Sequence, residues 1–171
     1  MKKKKQELII PFISLKEGKH QFTFKIDEAF FKQFDYSIIQ DANLQVDIDF
    51  EKKQTMFNLE FSIKGTILSD CDRCGDSLNL EVSSNESLIV KFGNEEYNET
   101  DEIKIISEND YELDITKTVY EFAHLMLPSK RVHKSIDNCN QQVIEQLEKL
   151  SSKENTESID PRWDALSKLN R

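Results

Sequence analysis

The chain has 171 residues, 37% hydrophobic and 32% charged, with only 4 Gly and 3 Pro, a polar but foldable composition that excludes collagen-like and low-complexity chains. Its length suits one domain with an appendage. A formal net charge of −9 repels phosphate, which excludes binding to nucleic acid or anionic lipid through general charge and leaves only local contacts.

The opening MKKKKQELIIPFISLKEG imitates a secretory leader, but its apolar run is short, contains Pro11, and leads into Glu17 and Lys19 with no small-residue cleavage site. No apolar run approaches the roughly 20 residues that a membrane-spanning helix needs. The expectation is a cytoplasmic protein, with no membrane or DNA partner and no small-molecule substrate, whose three cysteines stay reduced. Lys2 to Lys5 read as a solubilising tail.

The first half of the chain alternates. Phe22, Phe24 and Ile26 fall on every second position, as do Leu44, Val46, Ile48 and Phe50, and again Phe57, Leu59, Phe61 and Ile63, the period of strands with one buried face. With EKKQ between them, the last two runs predict an antiparallel hairpin. DEAFFKQF, between the early strands, predicts a short helix capped by Asp27. LNLEV and SLIVKF repeat the alternation after CDRCGDSL, which places Cys71 and Cys74 at a turn or strand end. GNEEYNETDE, with five acidic residues, reads as a solvated loop.

From Asp114 the period changes. Ile115, Val119, Phe122, Ala123 and Met126 share one face of a helix that Pro128 ends, and Val143, Ile144, Leu147 and Leu150 predict a second. SSKENTES reads as a polar linker. Beyond it Asp160 caps a last short helix with Pro161 at its first position, where Trp163, Leu166 and Leu169 share a face. The expected class is α+β: an antiparallel sheet or partly closed barrel with two to three helices in the C-terminal half. Residues 1–150 form the domain, 151–159 the linker and 160–171 the terminal helix.

A C-x-x-C is half of a zinc site, a redox couple, or two small buried hydrophobes. A redox pair should open a helix after a strand, whereas this one leads through Gly75 into another alternating run. Zinc needs four ligands, and the remaining cysteine is Cys139, six residues after His133. Cys71, Cys74, His133 and Cys139 would then be a Cys₃His set joining the β half to the helical half. The bland alternative leaves the cysteines as small hydrophobes and His133 at the surface. His20, His124 and His133 are the only histidines, none is marked as the base of a nucleophile, and the P-loop, dinucleotide and H-E-x-x-H motifs are absent. The expectation is a protein that is not an enzyme.

CDRCGDSL after a hairpin, DYELDITKTVYEFAHLMLPSKRVH, and a terminal DPRWDALSKL, in that order, resemble the YceD family of large-subunit ribosomal RNA accumulation proteins. The similarity runs from about Leu44 to Leu169, and DPRW is its most distinctive piece. Many members carry a second, later cysteine cluster; this chain has His133 and Cys139 in its place. The resemblance implies a non-enzymatic factor supporting synthesis, processing or accumulation of large-subunit ribosomal RNA, with pre-ribosomal RNA or a basic ribosomal protein as its partner. Candidate contacts are Lys130, Arg131, Lys134, Arg162 and Trp163. The alternative function is a small zinc-stabilised adaptor with no ribosomal role.

Overall fold

Alternation of apolar with charged residues lets one side of a strand face a core and the other face water. In the computed structural model, which describes residues 6–93, 100 and 102–151, that pattern builds five strands into one sheet. β1 is Ile9–Ile10, followed by a 3₁₀ turn at Phe12–Ser14 and by β2, Gly18–Ile26. Helix α1 spans Glu28–Phe31, and Asp27 caps it by accepting the Ala29 N–H at 2.9 Å. β3 runs over Asp41–Lys52, β4 over Met56–Asp70 and β5 over Ser77–Phe92. β6 is Ile103–Ile106 and β7 is Leu113–Asp114. Helix α2 follows at Thr116–Leu125, then a 3₁₀ turn at Ile136–Asn138 and helix α3 at Gln141–Leu150.

The large sheet has the order β2-β3-β4-β5-β6, and β1 pairs separately with β7. The sheet is open, with β2 and β6 at its edges, so the partly closed barrel is not formed. Nor is the sheet wholly antiparallel, because β5 and β6 run parallel from Ile89↔Ile103 to Phe92↔Ile106. LNLEV and SLIVKF belong to one strand: β5 stays in register with β4 from Met56↔Lys91 to Asp70↔Ser77. The β3–β4 turn is shorter than EKKQ, since Glu51 and Lys52 pair with Asn58 and Phe57.

The core lies on one face of this sheet. Phe50, Phe57, Phe61 and Ile63 are buried there, and Phe61 meets Phe122 of α2 with ring centroids 5.2 Å apart. Phe30 and Phe31 of α1 are buried with Val119 and Ala123 of α2 in the same cluster. Each fully buried side chain of this size contributes roughly 1.5–3 kcal/mol. Gly65 of β4 sits between Leu44 and Val82. A Cβ there would lie 2.1 Å from the Asn43 carbonyl oxygen, and its φ of +151° suits glycine.

β3 stops pairing at Asp41↔Leu68, whereas β4 and β5 continue to Asp70↔Ser77. The two strands therefore project as a tip that carries the C-x-x-C turn. A second, small cluster of buried residues forms at that tip from Cys71, Cys74, Cys139 and Ile144, with Leu78, Val132 and Val143 packed against it. Among the described residues no helix is long and apolar enough to cross a membrane. The terminal helix with Asp160, Pro161, Arg162 and Trp163, the lysines at 2–5 and most of the acidic segment lie outside the described residues.

Candidate metal centre

The turn between β4 and β5 is tied by its own backbone. Cys71 N–H donates to the Asp76 carbonyl and Gly75 N–H to the Cys71 carbonyl, each at 2.8 Å. Gly75 takes φ +79°, the left-handed region that any residue with a Cβ enters at a cost. This geometry turns N–H groups inward, so the Cys71 sulfur receives the main-chain N–H groups of Arg73 and Cys74 and, from across the site, that of His133.

The second half of the centre comes from the irregular stretch between α2 and α3. Asp72 N–H donates to the Arg131 carbonyl at 2.7 Å, and Arg131 N–H donates back to Asp72 Oδ2 at 2.7 Å. The Arg131 guanidinium closes the clamp, reaching Asp72 Oδ1 at 3.0 Å and Ser69 Oγ at 3.2 Å. Arg131 holds the Asp72 carboxyl below the usual carboxylate range, first through its N–H and then through its side chain, against a smaller opposing effect of burial. Two residues beyond this clamp, His133 is brought against the thiols. Cys139 follows the 3₁₀ turn, where its N–H bonds to the Ile136 carbonyl at 3.0 Å. Gln141 Nε2 then holds the carbonyls of Ile136, Asp137 and Cys139 at 2.9–3.2 Å.

Cys71, Cys74, His133 and Cys139 bring their ligand atoms within 4.8 Å of one another, with the three cysteines buried and His133 half-buried. His133 Nδ1 lies 3.7 Å from Cys74 Sγ and 3.6 Å from Cys139 Sγ. Tetrahedral zinc, with Zn–S near 2.3 Å and Zn–N near 2.0–2.1 Å, holds sulfur and nitrogen about 3.6 Å apart. The spacing of His133 from these two sulfurs and the donor set therefore both fit the ion.

Electrostatics separates the thiols. Burial acts to raise the Cys71 thiol, but the N–H groups of Arg73, Cys74 and His133 outweigh it, with a contribution from Cys74, and lower it to about 6. Burial pushes the Cys139 thiol up, opposed by Arg73, whose Nη1 lies 3.6 Å from its sulfur. Three thiolates around a divalent ion would leave one net negative charge, which Arg73, 3.6 Å from the Cys139 sulfur, would balance. The surface placement of His133 is thereby replaced by a half-buried one against two sulfurs.

The other histidines are engaged elsewhere. His124 Nδ1 bonds to the Tyr120 carbonyl at 2.8 Å beside the Tyr120 ring, and His20 Nε2 to the Lys16 carbonyl at 2.8 Å. Of the basic residues near the centre, Lys130 and Lys134 are exposed, whereas the Arg131 side chain is engaged with Asp72 and Ser69. Spacing does not single out Asp72 and Arg73, whose one signal in the sequence is their position between the two cysteines.

The chain is an open α+β sheet whose projecting hairpin tip and helical segment meet at a cluster of three cysteines and one histidine. The family described as "Large ribosomal RNA subunit accumulation protein YceD" matches residues 59–170, and the chain belongs to it. The matched region begins in β4 and includes all four clustered residues. No curated protein and no solved structure matches the chain.

Proposed function

We propose that this protein is a non-enzymatic cytoplasmic factor that supports accumulation of large-subunit ribosomal RNA by holding pre-ribosomal RNA or a basic ribosomal protein. The family match over residues 59–170 carries the reading. Cys71, Cys74, His133 and Cys139 would hold a zinc ion as a structural cross-link; four protein ligands fill a tetrahedral shell and leave no position for a reactive water. That cross-link fixes the segment that presents Lys130 and Lys134 beside the hairpin tip. The two lysines supply a local positive site on a chain whose net charge is −9, so any phosphate contact is confined to this loop.

Depletion of the protein from a growing culture, followed by ribosomal RNA profiling, tests the reading. A fall of large-subunit RNA relative to small-subunit RNA is the expected result, and normal levels would overturn it. Lys130→Glu with Lys134→Glu then separates the two modes of action. Loss of crosslinked large-subunit RNA supports direct contact, and unchanged crosslinking assigns the action to the protein partner.

A further inference from the structure

The two long flanks of the sheet are protected differently. β2 carries Lys19 and Lys25 along its length, and charged lysines are a common device against edge pairing. β5 is covered by β6 only from Ile89 onward. The stretch from Ser77 to Leu88, SLNLEVSSNESL, contains no Lys, Arg or Pro.

The direction of its free main-chain groups follows from its covered end. Ile89 N–H donates to the Glu102 carbonyl at 2.9 Å and Gly93 N–H to the Ile106 carbonyl at 3.0 Å, both on the β6 side. Main-chain groups alternate sides along a strand, and the β4–β5 register runs without a bulge. Asn79, Glu81, Ser83, Asn85 and Ser87 therefore aim their N–H and C=O groups away from β4, where they meet no partner among the described residues. The same five side chains are exposed on the solvent face, while Leu78, Leu80 and Val82 on the core side are only half-buried.

We infer that the outer edge of β5 between Ser77 and Leu88 accepts an extended, lysine- or arginine-containing segment of a partner protein by strand addition. Main-chain hydrogen bonds from the five outward residues supply the pairing, and alternate side chains of the incoming segment cover Leu80 and Val82. Charge selects a basic occupant: the only charged residues of the open stretch are Glu81 and Glu86, and the neighbouring Lys64 is already met by Asp47 at 3.5 Å. A second copy of this chain is disfavoured because each copy carries −9. The inference deepens the protein-binding arm of the proposed function and rests on it only for the ribosomal origin of the segment.

The test is amide hydrogen exchange on the full chain, alone and with a peptide of alternating lysine and valine long enough to span Ser77–Leu88. The expected result is protection of the amides of Asn79, Glu81, Ser83, Asn85 and Ser87 by at least about tenfold, the factor equivalent to 1.4 kcal/mol. The same peptide with glutamate in place of lysine should give none. Ser83→Pro removes one outward N–H without touching the β4 ladder and should abolish the protection. Glu81→Lys, which changes no backbone group, should weaken it.

No protection by the lysine peptide, equal protection by the glutamate peptide, or amides already protected in the protein alone would each overturn the inference. So would a concentration-dependent dimer that Ser83→Pro dissolves. The assay contains no ribosomal component, so its failure is distinguishable from normal ribosomal RNA after depletion.

Discussion

Removing one ligand of the cluster, by Cys139→Ser or by chelation, should release the segment from Arg131 to Leu150 while leaving the sheet intact. Besides the cluster, the segment is attached at the tip by three apolar side chains, main-chain bonds and the Asp72–Arg131 clamp. Ile144 is buried and Val132 and Val143 are half-buried, together about 4 kcal/mol of apolar burial. One main-chain hydrogen bond from Asp72 to the Arg131 carbonyl and two in the 3₁₀ turn add about 3 kcal/mol, and the part-exposed Arg131–Asp72 ion pair adds a smaller contribution. Against this, ordering the ten irregular residues Arg131 to Asn140 costs about 10 kcal/mol, and a helix as short as α3 adds nothing by itself.

The metal-free segment is thus short by at most about 3 kcal/mol. Structural zinc, at about 10–16 kcal/mol, would close it with at least about 7 kcal/mol to spare. Amide exchange read by mass spectrometry should therefore show protection in residues 131–150 falling by more than about a thousandfold, with β3 and β4 unchanged. Equal protection of this segment in the purified protein and in Cys139→Ser would refute the reasoning.

Gly65→Ala should cost about 3 kcal/mol in urea unfolding, because the new Cβ meets the Asn43 carbonyl at 2.1 Å and backbone must shift; a loss under about 1 kcal/mol would contradict the close packing of β3 on β4. Arg73→Ala should leave the fold intact and lower zinc affinity by about 10–100-fold, the usual effect of removing a partner of a ligand, measured by competition with a chromophoric chelator. Asp47 is held below the usual carboxylate range first by Thr23, whose hydroxyl donates at 2.8 Å, then by Gln45 and Lys64. Its folded value lies below its unfolded one, so its contribution is complete above the unfolded value near pH 4 and disappears as the pH falls through the folded value. The stability difference between the native chain and Asp47→Asn should then be constant at neutral pH and vanish in acid; a difference that grows in acid would refute the assignment.

The strands with one buried and one wet face announce themselves in the amino-acid order, as Leu44 to Phe50 and Phe57 to Ile63 do, because a period of two has no helical alternative. Asp27, and the apolar faces of α2 and α3, are equally local signals. β5 reads as two pieces because Ser83, Ser84, Asn85 and Glu86 interrupt the apolar alternation, although the ladder with β4 continues through them. β6 has four residues and a partner ten or more positions away, and β1 pairs with β7 across most of the chain. Neither leaves a local trace. Residue type and elimination pick out the four clustered residues as a candidate ligand set, beside the reading of the cysteines as small hydrophobes, whereas the Asp72–Arg131 clamp that places His133 depends on two segments meeting and is visible only in three dimensions.

X-ray absorption at the zinc edge of the purified protein, with metal content measured on the same sample, tests most directly whether Cys71, Cys74, His133 and Cys139 act as one centre. One equivalent of zinc bound by three sulfurs and one nitrogen, reduced to two sulfurs and a lighter ligand in Cys139→Ser, is the predicted result. Protein carrying less than about a tenth of an equivalent yet folded through residue 150, or zinc bound without sulfur, would contradict it.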